Sequence, residues 1–205
     1  AKVEGDVTLI EYVYNQCQQA HNSSDVFVLT DSVKIAKLFP PEKVIMTSED
    51  CENGTARVAS VINKLPYINI INVQGDMIKF PREIIKEIRA KMLTEDIDVI
   101  TVCKEMDSLD QMNPNTVKCI NNGEYAHWFC RAAVEYGDWH LGIYGYSKKA
   151  LAMYPYLSRY AEEHIESLEQ LRWLQNNVKV TITYTYGEAA EINSPEDLKA
   201  WQSTQ

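Results

Sequence analysis

Short apolar runs alternate along this 205-residue chain with segments in which apolar residues return every three or four positions, and few folds accommodate that alternation. Runs at 26–30, 44–46, 67–73 and 97–102 read as strands, the third nearly unbroken in apolar character, as a strand covered on both faces requires. Before and between them Leu9, Ile10, Val13, Tyr14 and Cys17 share one helical face, as do Val58, Ala59, Val61 and Ile62, and again Ile84, Ile85, Ile88 and Met92. A polar turn at 21–24 closes the first helix, and Pro81 opens the third, where a missing N–H costs least. Strands alternating with helices at this spacing predict an α/β fold with a mostly parallel, Rossmann-like sheet flanked by helices. Ligands are then expected beyond the carboxyl ends of the strands, where Asp31 and Asp76 fall.

The second half is more mixed and predicts a smaller β-rich region. Asn121-Asn122-Gly123 between runs at 116–120 and 125–130 is a hairpin signal, and Tyr144 and Tyr146 continue the strand pattern. A long helix is expected over 162–175 from Ile165, Leu168, Leu171 and Leu174, followed by a last strand at 178–184. Ser194-Pro195-Glu196-Asp197 is a helix start with Ser as cap and Pro in the first turn. No Pro/Gly/Ser-rich linker and no internal repeat divides the chain, so residues 1–205 read as one domain whose halves share a sheet.

Twenty-nine acids against 20 bases give a net charge of -9, and no run of Lys or Arg forms a basic stripe, so nucleic acid is not the expected partner. A free nucleotide stays compatible, since a few N–H groups, one or two bases and a metal suffice to hold it. The longest apolar stretches, such as 68–73, fall far short of a membrane span, and the first residues carry no charged and apolar leader, so no membrane association is expected. Five cysteines, at 17, 51, 103, 119 and 130, make no CxxC pair and sit mostly in apolar segments, which suits reduced thiols in a cytoplasmic protein.

Gln74-Gly75-Asp76 after a buried strand is the strongest site signal in the pattern, because a carboxylate there can hold Mg²⁺ against a substrate phosphate. The same Gly-Asp also suits a plain turn in which Asp bonds its own backbone. Asn53-Gly54-Thr55 at a helix start offers N–H groups and a hydroxyl to a base or phosphate, or simply caps the helix. Arg131, His140, Tyr144 and Glu169 are a polar set with an Arg suited to bidentate carboxylate binding, although periodicity cannot bring them together. The four histidines, at 21, 127, 140 and 164, form no metal-ligand spacing, and no Ser-His-Asp or Cys-His set occurs.

Several segments taken in order resemble the CMP-Kdo synthetases, a family of nucleotidyltransferases. They are Asn53-Gly54-Thr55-Ala56-Arg57, Ile71-Asn72-Val73-Gln74-Gly75-Asp76, Asn113-Pro114-Asn115-Thr116-Val117-Lys118, His140-Leu141-Gly142-Ile143-Tyr144-Gly145-Tyr146, Glu163-His164-Ile165-Glu166 with Leu168-Glu169-Gln170-Leu171-Arg172, and Ser194-Pro195-Glu196-Asp197-Leu198. The resemblance implies transfer of CMP from CTP to Kdo or a related acidic sugar, with Asp76 and Gln74 catalytic and Asp76 a Mg²⁺ ligand. It implies a nucleotide seat at Asn53, Gly54 and Thr55 within residues 1–110, to which Asp31 is added from its place at a strand end. A sugar-acid pocket at Arg131, His140, Tyr144, Glu169 and Gln170, and a homodimer contact, are implied within 111–205.

Three departures qualify it. Residues 1–5 resemble the segment on the C-terminal side of the family's N-terminal phosphate loop, whose Arg and Lys have no counterpart in these 205 residues, nor has the strand before it; residues preceding Ala1 in a longer chain, a segment from another chain or partner subunits are then expected to cover the neighbouring sheet edges. The family's late metal-ligand Asp is Asn193, and the Glu-Pro after its Gly-Asp is Met77-Ile78. The alternative to an active transferase is therefore a degenerate homologue acting as a nucleotide-binding or assembly module.

Overall fold

The computed structural model describes residues 1–21 and 25–204, so the polar turn read at 21–24 lies, apart from His21, outside the described residues. The chain opens with a small antiparallel pair, β1 (Lys2–Glu4) and β2 (Val7–Thr8), then α1 (Leu9–His21), β3 (Val28–Thr30), α2 (Val33–Ala36), β4 (Val44–Met46), α3 (Gly54–Val61), β5 (Asn69–Val73), α4 (Glu83–Thr94) and β6 (Val99–Lys104). Next come α5 (Ser108–Met112), β7 (Lys118–Asn121), β8 (Ala126–Cys130), β9 (Asp138–Ser147), α6 (Lys148–Met153), α7 (Ala161–Glu166), α8 (Leu171–Gln175), β10 (Val180–Tyr184) and α9 (Pro195–Ser203). Side chains satisfy orphan N–H groups at several helix starts: Ser32, Asn53, Asp107, Ser147 and Ser194 each accept from the first turn of the adjoining helix.

The main sheet has six strands, in the order β10-β6-β9-β7-β8 with β5 also on β9. β10 runs parallel to β6, while β5, β6 and β7 all run antiparallel to β9, so β5, β6, β7 and β10 point one way and β8 and β9 the other. The strand directions are thus mostly parallel, as the alternation predicts. Most hydrogen-bonded ladders are antiparallel because β9, the longest strand, is inserted between its neighbours. Strands from both halves of the chain build this one sheet.

Two apolar clusters cover it. On one side Ile84, Ile85, Ile88 and Met92 of α4 pack on Ile100, Val102, Leu141 and Ile143. Gly145 permits that approach, since a Cβ there would lie 2.6 Å from the Met92 sulfur and 2.7 Å from Ile88 and Ile100. On the other side Phe129, Tyr144, Tyr146, Tyr154, Leu171 and Trp173 form an aromatic core, with Tyr144 stacked on Tyr146 at 5.6 Å and Tyr154 against Trp173 at 4.8 Å.

The helix expected over 162–175 is instead two short ones. Ser167 caps α7 in the left-handed conformation at φ 54°, and α8 begins only at Leu171. The path breaks at Ser167, and the Glu169 carboxylate that follows accepts from Thr55 N at 3.0 Å and Thr55 Oγ1 at 2.7 Å, a long-range bond of which apolar periodicity carries no trace.

β3 and β4 form a separate parallel pair. Among the described residues neither β3 nor β5 has a partner on its other edge, and an apolar slot of 840 Å³ lies between them, lined by 25–29, 65–75 and one face of α1. Asn72 on β5 lines this slot, and its Nδ2 is buried without a hydrogen-bond partner among the described residues. No described helix is long and apolar enough to cross a membrane.

Candidate functional site

Where β5 ends, the chain turns under β9. Gln74 N donates to Gly142 O at 2.8 Å and Met77 N to Gln74 O at 3.1 Å, which sets Gln74 and Asp76 on the rim of a cavity of 650 Å³. The Gln74 side chain passes between two backbones: a Cβ on Gly54 would lie 2.6 Å from its Nε2, and one on Gly142 would lie 2.9 Å from its Cγ. The glycines of two separate segments therefore serve one side chain.

The cavity brings together Asn53, Gln74, Asp76, Arg131, His140, Tyr144, Glu169, Gln170 and Asn193, drawn from residues spread over 140 positions. Gly54, Thr55 and Asp31 do not line it. Asp31 pairs with Arg57 at 3.1 Å, and Thr55 is fully buried, its hydroxyl shared between Tyr146 at 2.8 Å and Glu169. Asn53 accepts from Ala56 N through Oδ1 at 2.7 Å and donates from Nδ2 to Tyr154 at 3.2 Å, so it caps α3 while standing in the cavity wall.

Arg131 is anchored from behind. Its Nε donates to Glu166 O and Nη1 to Asn115 O, each at 3.3 Å, and its backbone N donates to the Glu166 carboxylate at 2.8 Å. The remaining guanidinium donors have a fixed direction at little entropic cost. His140 is buried on β9, with Nε2 2.9 Å from Thr101 Oγ1, whose single hydroxyl proton goes to Ile143 O at 2.9 Å. Thr101 must then accept, so the imidazole carries its proton on Nε2 and leaves Nδ1 as an acceptor. Burial first, and the Arg131 charge second, hold its pKa down at about 3, so this ring is neutral at physiological pH.

Burial raises the Glu169 carboxyl, opposed by the donors of Thr55 and Gly54 and by Arg172. Arg172 is itself buried between Glu163 and Tyr154, its Nε 2.8 Å from Glu163 and its guanidinium 4.4 Å above the Tyr154 ring. Asp76 is raised by burial and lowered by its own backbone and by Arg131.

Periodicity and spacing missed Glu191, which also faces the cavity. It accepts from Gly142 N at 3.3 Å and from Asn193 Nδ2 at 3.1 Å, and burial, then the Asp76 charge, push its pKa up to about 7. The only sequence cue was an acid two residues before Asn193 in a stretch without period. Lys118 was also missed: it is fully buried and donates to Asn113 O and, at 3.2 Å, to Arg131 O, tying together the loops behind Arg131.

Asp76 and Glu191 present hard carboxylate oxygens on one wall of the cavity, a set that suits Mg²⁺ rather than a softer metal. Among the described residues no group of three His, Cys, Asp or Glu side chains forms a closed metal cage. An open two-carboxylate site is what a cation shared with a substrate phosphate requires.

Comparison with known proteins shows the family. A family model described as "Cytidylyltransferase" matches residues 5–180. The chain is 33% identical to a 3-deoxy-manno-octulosonate cytidylyltransferase of Vibrio parahaemolyticus, over 96% of this chain and 87% of that protein. It is 30% identical to an 8-amino-3,8-dideoxy-manno-octulosonate cytidylyltransferase of Shewanella pealeana, over 93% and 85%. A solved CMP:2-keto-3-deoxy-manno-octonic acid synthetase complexed with CTP superposes with a TM-score of 0.88 at 25% identity, covering 100% of this chain and 89% of that one.

Proposed function

The chain belongs to the cytidylyltransferase family, and from that premise we propose that it transfers CMP from CTP to 3-deoxy-manno-octulosonate or a close acidic relative, releasing pyrophosphate. The observation that carries this reading is the delivery, by one strand end, of Gln74 and Asp76 into the cavity that also holds Arg131, His140 and Glu169. The sugar's anomeric oxygen attacks the α-phosphorus, the bond to the β-phosphate oxygen breaks, and the hydroxyl proton is lost as pyrophosphate leaves.

Arg131, fixed by two backbone carbonyls, offers parallel donors to the sugar carboxylate. His140 is neutral and so presents Nδ1 as a hydrogen-bond acceptor to a sugar hydroxyl rather than a second positive charge. Glu169 and Gln170 add acceptors and donors on the same wall, and the two-glycine channel fixes Gln74 beside them. Asp76 would hold Mg²⁺, which when bound spreads the charge developing on the phosphate oxygens. The residues' own contribution is positioning: reactants held in line gain several kcal/mol, on the order of 7–11 at best, over free encounter. The same reading includes a homodimer, which light scattering after size exclusion checks as twice the chain mass.

Calorimetric titration of CTP with Mg²⁺, followed in the same sample by a pyrophosphate-release assay with 3-deoxy-manno-octulosonate and with its 8-amino analogue, tests the proposal. Binding with release on one sugar is expected. Binding without release on either sugar would sink the transferase reading in favour of a nucleotide-binding module, and no binding would remove both.

A further inference from the structure

Three backbone hydrogen bonds sew the segment before α9 to the turn after β5. Lys79 and Ala190 exchange N–H···O bonds at 3.1 and 2.9 Å, and Ile192 N donates to Asp76 O at 2.9 Å. Glu191, between Ala190 and Ile192, is therefore fixed beside Asp76, and both side chains line the same cavity. Each Glu191 carboxylate oxygen accepts one hydrogen bond from within the chain, from Gly142 N and from Asn193 Nδ2, which leaves each a free lone pair. Neither carboxylate makes an ion pair among the described residues, and the cation that acts on both is Arg131, which is tied elsewhere.

Two partly buried carboxylates side by side without a salt-bridge partner repel, and a divalent cation between them relieves that cost. We propose that Glu191 is the second carboxylate of a divalent-cation site, paired with Asp76, and that Asn193 is its positioning residue, donating an amide N–H instead of ligating. This rests on the transferase reading for the role of the cation, but not for its binding. It also revises the role of position 193. The Asn193 amide must turn its NH₂ toward Glu191, since its oxygen there would face another acceptor, so an acid at 193 would set a third negative charge against Glu191.

Mn²⁺ is the probe, its free signal followed by electron paramagnetic resonance with and without CTP, on the unmodified chain and on the Glu191→Gln, Asp76→Asn and Asn193→Ala variants. Glu191→Gln keeps an acceptor for Gly142 N and removes the repulsion, so it should fold, with a melting temperature in metal-free buffer no lower than the parent's. Mn²⁺ should bind at least tenfold more weakly to both Glu191→Gln and Asp76→Asn, and a few-fold more weakly to Asn193→Ala. Mn²⁺ should raise the melting temperature of the parent and not of Glu191→Gln. Unchanged Mn²⁺ affinity in Glu191→Gln alongside its loss in Asp76→Asn would overturn the assignment and leave the transferase reading standing. Absence of Mn²⁺ binding to the parent, with CTP still bound, would overturn it too. CTP failing to bind while Mn²⁺ still needs both acids would remove the transferase reading and keep the cation pair.

Discussion

Gly54 and Gly142 leave no side chain where Gln74 has to pass, so a methyl at either position meets it closer than van der Waals contact allows. Gly142→Ala should therefore displace Gln74 and lower kcat/KM with only about 1 kcal/mol lost from stability, to be read from steady-state kinetics beside a urea melt. Thr55 acts differently, since its hydroxyl donates its one proton to Glu169 and accepts from the buried Tyr146 hydroxyl. Thr55→Val should cost about 1–3 kcal/mol, read from a denaturant midpoint, because it leaves the buried Tyr146 hydroxyl without its Thr55 partner while Glu169 keeps only the Thr55 N–H. His140 gives a pH signature. Its folded pKa of about 3 lies below the unfolded 6.5, so the unfolded chain binds an extra proton between those values. Stability should then fall as pH drops through that window, by at most about 1.4 kcal/mol per unit, and His140→Gln should flatten the slope in urea melts at pH 4–7. Pattern alone drew attention to Asp76 because a Gly-Asp follows a buried strand. Periodicity gave no cue to Glu191, an acid near Asn193 that is brought to the cavity by backbone pairing between segments over a hundred residues apart.

Among the elements, the strand-helix alternation of the first half was legible because each run is long enough to bury its own face. The stretch at 162–175 misled for a physical reason: Ile165, Leu168, Leu171 and Leu174 keep helical spacing, yet the left-handed backbone at Ser167 breaks the path between them. Ser194, by contrast, announced itself, and its reciprocal bonds with Asp197 form a capping box. Because Asp197 also accepts from Asn193 N at 3.0 Å, that cap steadies the loop that carries Glu191. Ser194→Ala should cost about 1 kcal/mol of stability in a thermal melt and weaken Mn²⁺ binding at the same time. A loss of stability with Mn²⁺ binding unchanged would show the cap and the loop to be independent.

Across the whole molecule, the sheet's direction was readable but its ladders were not, because a ten-residue strand entering antiparallel between parallel neighbours leaves no local mark. Among the described residues the outer edges of β3 and β5 are unpaired, which has a consequence in bulk. They confront each other across an apolar slot whose amide at Asn72 lacks a partner, and a row of free backbone groups beside oily walls is a template for more backbone. Concentrated solutions of this chain should scatter light increasingly with time and light up a hydrophobic dye before any heating, and Ile70→Lys should quiet both. These outcomes depend on the slot between the two edges and are independent of anything the chain catalyses.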